Sequence, residues 1–335
     1  MEIRRNPEKP NIRPDDIRGS HASTAKRDIL DAIGDTPLVY LPHLSPNTSV
    51  NIYAKLEGHN PTGSVKDRIA KYMIARAETD GLLTANKTVL EPTSGNTGIS
   101  LAMVCKVKGY KLKVVMPENV SPERSQLLKA YGAEILFSDG AGGSNHAIVV
   151  AQELLASDPD SYYMPYQYGN ESNLLAHYET TGIEILEALP EVDTFVAGLG
   201  TGGTLMGVGR RLKEHNPDTQ VIAVVPSPDD AIQGLRSLDD GFIPPILDTS
   251  LLDSRIMIEG REAFATTRYL LEKEGIFAGI SSGSVIAGAL RIADRMDHGN
   301  IVCLLADGGW KYLSTNLWTT DYGIMESQVK GKIWW

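Results

Sequence analysis

Asn60-Pro61-Thr62-Gly63-Ser64-Val65-Lys66-Asp67-Arg68 decides the reading of this chain. The run Val50-Asn51-Ile52-Tyr53-Ala54-Lys55-Leu56 before it predicts a strand, and Ile69-Ala70-Lys71-Tyr72-Met73-Ile74-Ala75 after it predicts a helix. Asn60, Pro61 and Gly63 mark the turn between them. Ser64 is a candidate cap for the helix, and Asp67 suits its positive N-terminal end. Lys66 then sits where helix electrostatics favour an anion. An amine that is neutral, or tied up in an imine, removes that conflict. A solvated lysine on a first turn is the plain alternative, so the rest of the chain has to decide.

Outward from that stretch, strands and helices alternate. Strands are predicted over 88–91, 112–116, 134–137, 194–197, 221–225 and 301–305. Helices are predicted over 97–107, from 121 onward, over 147–155 and 174–189, up to 213, and over 262–273 and 282–296. Residues 28–33 predict a short helix ended by Gly34, and residues 36–39 an extended segment. β-Branched strands joined by helices imply an α/β fold with two parallel or mostly parallel twisted sheets covered on both faces. The active site then lies in the cleft between two domains. The expected divisions are a flexible arm over 1–27, a smaller mobile domain over 50–165, a larger domain over 28–49 and 166–320, and a tail over 321–335. No fixed-period repeat is present.

Composition narrows the class. The 335 residues carry a net charge of −10, which argues against a nucleic-acid surface. Cys105 and Cys303 lie in apolar runs and read as buried thiols, consistent with a reducing cytoplasm. No apolar stretch has membrane-spanning length, and the N-terminus lacks the apolar segment of a signal peptide. The seven histidines are dispersed, and no metal site is expected.

Three further loops stand where strands meet helices. Glu91-Pro92-Thr93-Ser94-Gly95-Asn96-Thr97-Gly98 offers N–H groups and hydroxyls to a carboxylate, or caps a helix through Ser94 or Thr97. Gly198-Leu199-Gly200-Thr201-Gly202-Gly203-Thr204 suits a monophosphate. The acidic residue of a dinucleotide site is missing, because Val225 is followed by Pro226-Ser227. Gly279-Ile280-Ser281-Ser282-Gly283-Ser284, taken alone, reads as a helix cap. A lysine, a phosphate cup, a carboxylate seat and a serine at strand ends together suit pyridoxal 5'-phosphate.

These four motifs, in this order, resemble the signatures of cysteine synthases, members of the tryptophan-synthase-β-like group of pyridoxal phosphate enzymes. The resemblance runs from about residue 28 to 320. Glu274-Gly275-Ile276-Phe277 and the run from Ala306-Asp307-Gly308-Gly309-Trp310 to Thr315 look like the actinobacterial type that uses O-phosphoserine.

The resemblance implies roles. Lys66 would hold the cofactor as an imine and then act as the base. Asn96 would bond the ring hydroxyl, Gly200, Thr201, Gly202, Gly203 and Thr204 the phosphate, and Ser281 the pyridine nitrogen. Thr93, Ser94, Asn96, Thr97 and Gln167 would hold the substrate carboxylate. Arg236, in Ile232-Gln233-Gly234-Leu235-Arg236-Ser237, would select a phosphorylated substrate. The implied activity is β-replacement on an activated serine, O-phosphoserine or O-acetylserine, through an aminoacrylate. Sulfur would come from sulfide or a thiocarboxylated carrier protein, and the assembly would be a homodimer. Cystathionine β-synthase or cysteine desulfhydrase chemistry on the same scaffold, and a non-catalytic cofactor-binding protein, stand as alternatives. The terminal residues 329–335, ending in Trp334-Trp335, suggest a mobile plug for the cleft.

Overall fold

The computed structural model describes residues 25–93, 95–120, 122–228, 230, 232–238 and 241–324. Most of the expected arm, Ser94 and the terminal plug at 329–335 lie outside the described residues.

In chain order, β1 (Leu38–Tyr40) and β2 (Val50–Leu56) lead to α1 (Lys66–Thr79). Next come β3 (Thr88–Pro92), α2 (Asn96–Lys108), β4 (Lys111–Pro117) and α3 (Pro122–Ala130). They are followed by β5 (Glu134–Ser138), α4 (Gly143–Ser157) and β6 (Tyr162–Tyr163). α5 (Glu171–Ala176), a π turn (His177–Thr181) and α6 (Gly182–Ala188) run on without a break. Then come β7 (Thr194–Gly198), α7 (Gly203–His215), β8 (Gln220–Pro226) and β9 (Ser254–Ile258). α8 (Gly260–Glu274), α9 (Ile280–Ala293) and β10 (Gly299–Leu305) follow.

The strands form two sheets, ordered β1-β2-β10-β7-β8-β9 and β5-β4-β3-β6. Among the described residues, every pairing between these strands is parallel except β1 with β2. Alternation along each strand feeds both faces. In the larger sheet, Ile52, Val196, Val224 and Cys303 pack with α9 residues such as Val285 and Ile286. Phe195, Ala197, Val221 and Val302 pack on the opposite side with Leu205 and Leu212 of α7. The smaller sheet repeats the pattern: Val89 and Val114 meet Ala70 and Ile74 of α1, while Leu90 and Val115 meet Ala147 and Ala151 of α4. Cys105 and Cys303 are buried free thiols, as the apolar runs around them imply.

Two strands escape sequence periodicity. β6 is two residues long, and β9 is an edge strand with exposed Ser254 and Arg255. The helix expected over 174–189 begins earlier, at Glu171, where Asn170 accepts from the Ser172 N–H. One domain boundary is corrected. β2, expected with the smaller domain, pairs with β10 and belongs to the six-stranded sheet. The chain crosses between the sheets through the turn at 60–65, since α1 packs on the smaller sheet. Leu30, expected with the larger domain, also packs in that smaller core.

Candidate active site

β2, β3, β7 and β10 all point their carboxyl ends at one cavity of about 500 Å³. Its walls include Lys66, Thr93, Asn96, Thr97, Gln167, Gly200, Thr201, Arg236 and Ser281, from motifs far apart in sequence. Gly202 and Thr204 line a smaller recess of about 40 Å³ that also touches Lys66 and Ser281. Gly203 lines neither, and Ser94 lies outside the described residues.

Lys66 is the first residue of α1. Ser64 does not cap that helix; its hydroxyl only accepts a 3.4 Å contact from the Lys66 N–H. Burial of the Lys66 amine pushes its pKa down, and the opposing charges of Asp307 and Glu57 do not reverse this. A lowered pKa shifts the amine toward its neutral form, which lessens the clash with the helix dipole. Asp67 is buried and accepts from the Thr62 N–H at 2.7 Å and from Ser100 Oγ at 2.5 Å. These bonds fix the turn that presents Lys66.

The phosphate-type loop is built by close approach. Gly202 has φ +91°, a region that suits glycine. A Cβ on Gly200 would lie 3.1 Å from the Gly234 carbonyl oxygen, and one on Gly203 only 1.9 Å from Asn173 Oδ1. Asn173 donates to Thr201 Oγ1 at 3.0 Å and to the Gln167 carbonyl at 2.8 Å. The loop ends on the N-terminus of α7, and its Gly200, Thr201, Gly202 and Thr204 line the recess. His177, in the π turn, lies 3.3 Å from Thr204 Oγ1. Burial, with Arg68 and Lys66 nearby, pushes its pKa down to about 3, so it is neutral.

At the opposite wall, Thr97 Oγ1 donates to Gln167 Oε1 at 2.7 Å. The N-cap of α2 is Gly95, without a side-chain bond, so Thr97 serves the cavity and not the cap. Ser281 and Ser282 likewise lie inside the first turn of α9, whose N-cap is Gly279. Arg236 lies with its guanidinium carbon 5.3 Å from the Tyr168 ring centroid and 4.8 Å from that of Phe242.

Sequence reasoning gave no role to Glu91 or to Asp307 and Tyr312. Glu91 is fully buried and accepts the N–H groups of Tyr166 at 2.8 Å and Gln167 at 3.0 Å. Asp307 and Tyr312 line the cavity opposite Asn96. An acid near the end of an apolar strand (Glu91) or just beyond one (Asp307) was the available signal, because ligands gather at strand carboxyl ends. Among the described residues, no cluster of His, Cys, Asp or Glu could hold a metal ion, and no helix is long and apolar enough to cross a membrane.

Against known proteins, a family model described as pyridoxal-phosphate dependent enzyme matches residues 29–307. The chain is 42% identical over 304 residues to a cysteine synthase of Staphylococcus aureus, covering 88% of this chain and 97% of that protein. A crystal structure of cysteine synthase from Entamoeba histolytica superposes with a TM-score of 0.86 at 34% identity, covering 92% and 97% of the two chains. A hydrogen sulfide-producing enzyme from Fusobacterium nucleatum superposes with a TM-score of 0.81 at 42% identity, covering 86% and 100%.

Proposed function

The chain belongs to the cysteine synthase family of pyridoxal-phosphate-dependent enzymes, and on that premise we propose that it makes L-cysteine from O-phosphoserine in preference to O-acetylserine. Sulfide or a thiocarboxylated carrier protein supplies the sulfur, and the working form is a cytoplasmic homodimer.

The residues around the cavity fit the cofactor. The neutral-leaning Lys66 amine, the glycine cradle closed by Gly234 and the hydroxyl of Ser281 meet in one recess. Lys66 would hold the cofactor, Gly200 to Thr204 its phosphate, Asn96 its ring hydroxyl and Ser281 its ring nitrogen. When bound, pyridoxal phosphate supplies an electron sink for the substrate Cα. The protein supplies the rest. Thr93, Asn96, Thr97 and Gln167 seat the substrate carboxylate. Lys66, whose pKa is lowered by burial, takes the Cα proton.

Arg236 is the single observation that carries the choice of ester. It lines the same cavity as Lys66 and Gln167. Tyr168 and Phe242 hold its guanidinium by ring contact, which leaves N–H donors for a ligand. Its own backbone N–H is tied to the Leu199 carbonyl at 2.7 Å, beside the phosphate-type loop. A guanidinium fork matches a phosphate dianion and stabilises its departure.

Steady-state rates with both esters test this. Arg236→Ala should lower kcat/KM on O-phosphoserine by about 100-fold, a charge-assisted bidentate contact, and on O-acetylserine by less than about 5-fold. Equal losses, or a wild-type preference for O-acetylserine, would overturn the proposal. A second reading, sulfide release from cysteine, draws on the likeness to the Fusobacterium enzyme; sulfide formed faster from cysteine than cysteine from either ester would favour it.

A further inference from the structure

Asp307 follows β10 on the six-stranded side of the cleft, and Asn96 opens α2 on the four-stranded side. One hydrogen bond joins them across the gap: Asn96 Nδ2 donates to Asp307 Oδ2 at 2.7 Å. Tyr312 OH donates to the same oxygen at 2.6 Å. Asp307 is only 3% exposed, and its second oxygen, Oδ1, is buried with no hydrogen-bond partner. A buried, half-satisfied carboxylate is costly, so its placement calls for a reason.

The surroundings are shaped for it. A Cβ on Gly279 would lie 2.2 Å from Asp307 Oδ1 and 2.6 Å from Tyr312 Cε2. Only glycine lets that chain segment pass. The Asp307 charge also acts on two amines. It pulls Lys66 and Lys311 upward against the burial that lowers both. Asp307 is thus an anion shared by Asn96, Tyr312 and the two amines.

An ionised carboxylate only accepts hydrogen bonds, whereas a carboxamide has one donor end and one acceptor end. The partner decides which end faces which way. We infer that Asp307 is a positioning residue of the cofactor site: it accepts one of the two N–H groups of the Asn96 amide and so keeps that nitrogen toward the site, where its second N–H meets the ring oxygen of pyridoxal phosphate as a donor. Tyr312 braces the carboxylate for that task. The inference rests on the cofactor site proposed above and is independent of the serine ester.

The test is a dissociation constant for pyridoxal phosphate, titrated into protein stripped of cofactor, with the visible absorbance of the bound cofactor read alongside. Asp307→Asn should weaken binding about 10- to 150-fold, the range for one hydrogen bond to a charged partner, and should move the absorbance maximum. In an Asn96→Ala background the same change should add less than about 2-fold, because the two residues act through one contact. An equal penalty in both backgrounds, or an unchanged constant and maximum, would overturn the inference. If Asp307→Asn does not fold, Tyr312→Phe decides: it should move both readouts the same way by a smaller step, and no movement overturns the inference. A wild-type protein that takes up no pyridoxal phosphate would instead overturn the cofactor reading itself.

Discussion

Glu91 Oε1 accepts the backbone N–H of Gln167 at 3.0 Å, while Oε2 of the same carboxylate holds Tyr166 at 2.8 Å. A buried strand residue thereby fixes the loop whose Gln167 side chain meets Thr97 at the cavity wall. Tyr166 has φ +52°, an uncommon conformation for a tyrosine, and the Glu91 bond helps to hold it. Glu91→Gln would turn an amide N–H₂ toward one of those backbone N–H groups. The expected cost is about 1–3 kcal/mol of stability. Substrate KM should rise with kcat largely kept, since the damage falls on seating. A variant with wild-type KM would show that Gln167 does not depend on Glu91.

pH gives a second test of the same residue. Burial pushes Glu91 up to about 7 from an ordinary 4.5. Between those values the folded state keeps a proton that the unfolded chain releases, so this contribution to stability falls as pH rises. His177 works the other way. Its folded pKa of about 3 lies below the ordinary 6.5, so the unfolded chain takes up a proton that the folded state refuses. That contribution is present above 6.5 and is lost as pH falls toward 3. The two slopes oppose each other between 4.5 and 6.5. Glu91→Gln should therefore leave a profile that rises more steeply with pH there, by up to about 1.4 kcal/mol per pH unit. Urea midpoints across that window read it directly, and an unaltered slope would sink the assignment.

Gly203→Ala tests the cradle. The added Cβ would meet Asn173 Oδ1 at 1.9 Å and Cγ at 2.5 Å, so either α7 or Asn173 must move. The expected loss is about 1–3 kcal/mol, typical of overpacking. Cofactor affinity should fall with it, because Asn173 also anchors Thr201 and the Gln167 carbonyl. Gly323→Ala, with nothing within 4 Å, is the matched control. Equal behaviour of the two variants would mean that the loop tolerates displacement.

Much of this was legible in the sequence because it is local. β2 and the turn before Lys66 announce themselves by apolar alternation followed by Pro61 and Gly63. The glycine loop after β7 stands at a strand–helix junction, whereas the serines after Gly279, expected at a strand end, open α9 directly after α8; the fold gathers both around one cavity. Pairing is not local. Nothing within residues 50–56 says that β2 joins β10 and not β3, so the domain boundary was misplaced. Glu91 and Asp307 were silent for a related reason. An acid at a strand end carries no period, and its task depends on Gln167 and Asn96, residues 76 and 211 positions away. β9 was lost because an edge strand with outward Ser254 and Arg255 lacks the continuous apolar run of a buried one.

Lys66→Ala should give a purified protein without the visible absorbance of bound cofactor and without turnover. The motive is the placement of a desolvated amine beside the recess lined by Gly200, Thr201, Gly202 and Thr204. Turnover at the wild-type rate would assign the cofactor to another residue.

Arg68, two residues along the same helix, carries the last prediction. It is 1% exposed and spends its guanidinium on Glu57 at 2.7 and 2.9 Å, Glu184 at 2.6 and 2.7 Å, Thr180 at 3.0 Å and Thr36 at 3.1 Å. Lys55 of β2 adds a 2.6 Å bond to Glu184. The network ties α1 to β2 and α6, directly behind Lys66. Burial pushes Glu57 and Glu184 up, but Arg68 outweighs it and holds both below the ordinary range, Glu184 at about 2. Arg68→Ala leaves Glu57 without its ion-pair partner and Glu184 with Lys55 alone, for an expected loss of about 3–5 kcal/mol near neutral pH. The sign with pH follows from the lowered pKa values. The stability these pairs contribute is present above 4.5 and is lost as pH falls toward 2. In Arg68→Ala, Glu57 can take up a proton once the pH drops, which relieves the stranded charge. The gap between variant and wild type should therefore narrow from pH 7 to pH 4, measured by urea unfolding at each. A gap that stays constant or widens would show that Arg68 acts through packing alone and that its charge does not hold the two acids.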